Sequence, residues 1–108
     1  MKTFDMIMMS IGSNYTSKTT FWDDFTIADH FGVAAIQDTY NRSFSNWKDN
    51  VEYITELTLV LNHKIWQHHN NGNEELSHLY DRLWKEVDGW CIENLTGEDV
   101  EYFFEVTD

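Results

Sequence analysis

Proline is absent from this 108-residue chain. An interior proline costs a helix about 3 kcal/mol, so its absence leaves every segment open to long helices. The only cysteine is Cys91, which excludes an intrachain disulfide and fits a reducing, cytoplasmic setting. Basic residues are also scarce, with 7 Lys and Arg against 19 Asp and Glu, a net charge of −12. A surface of that sign repels phosphate, which argues against a general affinity for nucleic acid or anionic lipid. No apolar run approaches the roughly 18 residues of a membrane-spanning helix. The opening MKTFDMIMMSIGS has one Lys, a short apolar run and an acid at Asp5, a poor match to a secretory signal.

Aromatic residues, in contrast, are plentiful: 5 Trp, 5 Tyr and 7 Phe. A chain of this length makes one domain, residues 1–108, and buries somewhat over ~60% of its unfolded surface, enough for a core without staples. The stretch that core must surround runs from Asn50 to Asn70. Its centre, Leu57-Thr58-Leu59-Val60-Leu61, is apolar nearly all round, the pattern of a helix inside a bundle. Alternation at Thr55, Leu57, Leu59 and Leu61 also fits a strand over Tyr53 to Leu61. The uninterrupted length favours helix.

The remaining elements follow from spacing and end signals. Ile7, Met8, Met9 and Ile11 suit a short strand or a helical turn, followed by a turn at Gly12-Ser13-Asn14. Thr20 with Asp23, or Thr26 with Asp29, opens a helix that stops at Gly32. Val33, Ile36, Tyr40, Phe44 and Trp47 form a helical stripe, with Asp38 and Arg42 paired on the opposite face. Asn46 to Asn50 is a polar turn. After the stop at Gly72, Asn73 caps a helix whose inward stripe is Leu76, Tyr80, Leu83, Val87 and Trp90. Asp81 pairs with Lys85 on its surface, and Gly89 inside it marks close helix packing or a kink. Thr96 caps a last helix, answered by Asp99 and stapled by Leu95 on Val100, that sends Val100, Phe103 and Phe104 inward. A strand over Val100 to Val106 is the weaker alternative. The sum is an all-α bundle of about five helices in a single domain.

The run FWDDFTIADHFGVAAIQDTYNRSFSNWKDN, then TELTLVLNHKIWQHH, LYDRLWKEVD and the ending YFFEVTD, resembles a family of short acidic proteins of unknown function. That family belongs to mobile elements of largely Gram-positive bacteria. The resemblance spans nearly the whole chain but rests on packing motifs. It implies a bacterial cytoplasm and a transferred gene, and it carries over no catalytic residue.

Three constellations invite chemistry. Ala28, Gly32 and Val33 have helix-turn-helix spacing and would present Gln37, Asp38, Asn41 and Arg42 outward. One Arg beside one Asp tracks phosphates poorly, and an ordinary helix corner needs the same glycine. His63, His68, His69 and His78, with Glu56 and Glu75, suggest a metal. However, Glu75 to His78 supplies only one Glu-x-x-His, and no two His are four apart, so they read as exposed polar residues at a helix end. Cys91 has acids at Glu86, Asp88 and Glu93, which raise a thiol pKa and disfavour a nucleophile. No phosphate loop, serine elbow or carboxylate pair is present. The expectation is therefore a protein with no cofactor, no metal and no catalytic residue.

The charge is uneven. Residues 74–108 hold 11 acids against 2 bases, a net of −9, and no Lys or Arg follows Lys85. Asp81, Asp88, Glu93, Glu98, Asp99, Glu101 and Glu105 are the candidate partner-binding surface, with Glu98, Glu101 and Glu105 in a row on one helix edge. Solubility alone explains acidity of this kind. The functional reading is a surface that imitates nucleic acid and blocks a basic nucleic-acid-binding protein, such as a restriction or CRISPR nuclease, with no nucleic acid or membrane bound. A monomeric or homodimeric helical adaptor with an apolar groove is the alternative, followed by a metal-binding or enzymatic bundle.

Overall fold

A computed structural model describes residues 19–107, and the expectations for residues 1–18 lie outside it. Five α-helices make up the described residues: α1 Phe21–Phe31, α2 Val33–Trp47, α3 Val51–Asn70, α4 Glu74–Asn94 and α5 Glu98–Thr107. Both strand alternatives, over Tyr53–Leu61 and Val100–Val106, are helix instead.

The axis of the bundle is α3. Asn50 starts it by accepting a hydrogen bond from the Tyr53 N–H at 3.1 Å, which satisfies one of the orphan donors of the first turn. Every residue from Ile54 to Leu61 is buried. Among them, Thr58 turns its hydroxyl onto the Ile54 carbonyl at 2.9 Å and Glu56 is buried as well. The helix ends on Gly72 at φ +79°. There the Asn73 N–H reaches the His68 carbonyl and the Gly72 N–H the His69 carbonyl, the paired bonds of a glycine-terminated helix end. This turn reverses the chain, and α4 packs along α3 more extensively than any other pair of helices. Ser77 ties the two by donating to the Ile65 carbonyl at 2.9 Å.

A single residue, Gly32, joins α1 to α2. At φ +101° and ψ −166° its backbone lies in a region open essentially to glycine alone. The core combines Phe21, Phe25 and Ala28 of α1, Ile36 and Tyr40 of α2, and Leu79, Tyr80, Leu83, Val87 and Cys91 of α4 around α3, with Phe103 of α5.

Several local expectations need correction. Thr20 precedes α1 without a side-chain cap and donates instead to Asp24 at 2.7 Å, so the answering acid is not Asp23. Thr26 lies within α1, bonded to the Trp22 carbonyl. Asn73 holds the cap position without a side-chain bond. Helix α5 begins at Glu98, where the Asp99 N–H meets the backbone carbonyl of Thr96. A Cβ added at Gly89 meets nothing within 4 Å, so close packing does not explain that glycine. Phe104 is 47% exposed, while Val100 is half-buried and Phe103 fully buried. Val33 and Trp47 lie largely outside the core and Ile65 only partly within it.

Candidate functional site

Glu98, Asp99, Glu101 and Glu105 are exposed along α5, and Glu93 is exposed near the end of α4. Among the described residues, none of these five has a cationic side chain within ion-pair distance. Asp81 pairs with Lys85 at 2.9 Å. Asp88 is half-buried, and burial raises its carboxyl above the ordinary range. The seven predicted residues thus divide into five open carboxylates, one neutralised by Lys85 and one partly withdrawn from water. From Glu98 to Glu105 a helix rises ~10.5 Å, so its four carboxylates, at both ends and between, follow at a mean axial spacing of about 3.5 Å. Duplex DNA carries one per ~1.7 Å and each strand one per ~3.4 Å.

A second assembly, not anticipated from the sequence, lies inside. Lys64 of α3 is fully buried and donates to Asp29 of α1 at 2.8 Å and to the Thr26 hydroxyl at 3.1 Å. Its ammonium sits 4.8 Å from the centre of the Trp22 ring, a cation–π contact. Tyr80 of α4 donates to the other Asp29 oxygen at 2.5 Å. Burial, then that carboxylate, raises the phenol pKa and keeps the group protonated. His68 stacks on the Tyr80 ring, with centroids 5.5 Å apart, and places Nε2 3.2 Å from Asp29. One carboxylate therefore gathers three helices. A buried ammonium needs such a partner, because an unpaired interior charge is costly.

The histidines are not one exposed group. His63 and His68 are buried, contrary to the helix-end reading. His63 lies against Trp22 at 4.4 Å, and burial, followed by the Lys64 charge, lowers its pKa to about 4. His69 and His78 are exposed and flank Glu74 at 2.9 and 3.7 Å. Among the described residues, no three His, Cys, Asp or Glu gather as metal ligands would. The Cys91 thiol is buried, and burial, with Asp88 adding to it, pushes it up to about 12, so it is held as an inert thiol.

The helix-turn-helix reading fails on geometry. That motif places a turn of three or four residues between its helices, whereas Gly32 alone separates α1 from α2. Gln37 faces α4 and accepts from Arg82 at 3.0 Å. Between α1 and α2 runs an open groove of about 600 Å³. Ala28 of α1 and Ala35, Thr39 and Ser43 of α2 line it, and Ile27, Phe31 and Trp47 stand exposed among its lining residues.

Compared with protein-family models, curated proteins and solved structures, the chain matches none. The fold and its surfaces define an all-α bundle with an acidic face and a walled groove.

Proposed function

We propose that this protein is an acidic interaction module whose α4–α5 face engages a basic, nucleic-acid-binding protein in place of its nucleic acid. The observation that carries this reading is the carboxylate row of α5, which has no cationic side chain within ion-pair distance among the described residues. Glu98, Asp99, Glu101 and Glu105 face solvent, at a mean axial charge spacing of about 3.5 Å, close to that of one DNA strand. Like charges this close repel, at several tenths of a kcal/mol per pair, and the segment keeps them without a single Lys or Arg. The resemblance to acidic proteins of bacterial mobile elements favours a defence nuclease of the restriction or CRISPR type as the partner. The role is inhibition by occupancy of the nucleic-acid groove, without catalysis.

The test replaces Glu98, Glu101 and Glu105 together by Gln. Wild type and variant, each immobilised, are exposed to bacterial lysate at low and high salt, and binding kinetics are then measured on the captured protein. Wild type should bind more weakly as salt rises, since exposed charges are screened beyond ~8–10 Å. The variant should associate more slowly with a nearly unchanged dissociation rate, because long-range charge mainly steers encounter. Equal affinity of both proteins at all salt concentrations would remove the support for this reading.

A further inference from the structure

We propose that the groove between α1 and α2 is a docking site for an amphipathic helix with basic flanks, supplied by a partner protein. The groove follows the helix pair. Its lining begins at Thr19 and Thr20 before α1 and passes Ala28 and Phe31 to Ala35, Thr39, Ser43 and Trp47 on α2. Small side chains at Ala28, Ala35, Thr39 and Ser43 leave room for the knobs of another helix, as small residues do wherever helices approach closely. Large apolar groups rise beside them, with Phe31 78% and Ile27 58% exposed. Apolar side chains left in water along a groove are the anchors by which such surfaces capture a helix. Helix α1 has 11 residues, which sets the seat at about 16 Å, or three turns of an incoming helix.

Charge decides between occupants. Asp24, Asp38 and Arg42 also line the groove, and Arg42 is already paired with Asp38 at 3.4 Å. The groove thus carries an acidic excess on a chain of net charge −12. A second copy would bring the same excess and the same net charge, and would be repelled. Lysine or arginine beside the apolar stripe satisfies Asp24 and the surrounding field. The preferred ligand is therefore a helix with apolar residues at i, i+3, i+4 and i+7 and bases on either side. This surface is separate from the carboxylate row of α5, and the proposal stands without it.

The probe is a synthetic Leu/Lys peptide of that pattern. One control has the same composition with its leucines scattered, and a second has Glu for Lys. Binding to the full chain is followed by amide chemical-shift changes and by titration. The patterned basic peptide should shift Ala35, Thr39 and Ser43 and should bind more tightly than either control. Ile27→Ser with Phe31→Ser should weaken it about tenfold or more, the effect of losing a buried anchor, while the melting temperature stays near wild type because both side chains are exposed. Glu98, Glu101 and Glu105 changed to Gln should leave the shifted residues the same. No binding, equal binding of the scattered peptide, or shifts that avoid the groove would overturn the proposal. So would a concentration-dependent dimer abolished by the Ile27/Phe31 change, or contacts from the chain's own first 18 residues to Phe31 in the free protein.

Discussion

Replacing Asp29 by Asn tests whether the carboxylate shared by three helices is what keeps Lys64 inside. The Lys64 side chain has no exposed surface, that of Asp29 is 14% exposed, and their charged atoms are 2.8 Å apart. At an effective dielectric of about 20, the attraction at that distance is about 6 kcal/mol before desolvation is subtracted. Asparagine keeps the shape and an oxygen that accepts from Tyr80, but removes the charge. The ammonium then stays buried with only the Thr26 hydroxyl and the Trp22 ring, and breaking a buried pair this way costs about 3–5 kcal/mol. Lys64→Met should cost less, about 1–2 kcal/mol. It fills the same volume and leaves Asp29 with the Tyr80 hydroxyl and some water, so one charge-assisted hydrogen bond is lost. The double variant should be more stable than Asp29→Asn alone, because no unpaired charge remains. The assay is urea unfolding at fixed ionic strength, followed by tryptophan fluorescence and far-UV circular dichroism, with a check that the slope with denaturant is constant. A loss under about 1 kcal/mol for Asp29→Asn, or strictly additive single changes, would refute the reasoning.

Three further outcomes follow. Leu61→Ala should cost about 2–5 kcal/mol in the same assay, because Leu61 is fully buried on the central helix and its truncation leaves a cavity. Gly89→Ala should raise stability by up to about 1 kcal/mol, since the added methyl meets no atom within 4 Å; a loss would mean the position is strained. For His63 the folded pKa, about 4, lies below the ordinary 6.5, so the neutral ring is favoured in the fold. Its contribution is full above pH 6.5 and is lost as pH falls through 4, by up to about 3 kcal/mol. His63→Gln should flatten that part of the stability–pH curve, and an unchanged slope between pH 6.5 and 4 would count against it.

The helices were legible because their stripes are strong. Ile36 and Tyr40, and then Tyr80, Leu83 and Val87, fall on the buried faces that their spacing assigns. The stripes overshoot at their ends: Val33, Trp47 and Phe104 keep the period but project past the core. Periodicity gives direction from a helix axis, and whether anything lies in that direction depends on where the neighbouring helix stops. The buried cluster was missed because Asp29 and Tyr80 are 51 positions apart, and no local pattern joins them. A signal did exist within α3. Lys64 and His68 follow Leu57 and Leu61 at helical spacing on the same face, so a lysine on a core stripe called for a carboxylate elsewhere. The open row of Glu98, Glu101 and Glu105 was legible from the absence of bases after Lys85. The groove was not, because it is made by how α1 and α2 lean together at Gly32.

The unbroken burial of Ile54 to Leu61 divides the chain by what selection can act upon. A side chain that no partner touches cannot be tuned toward one, so substitutions in this stretch are tolerated or rejected for folding alone. Most of the exposed positions lie on the outer helices, and the carboxylates of α5 can be exchanged one at a time without disturbing the axis that carries them.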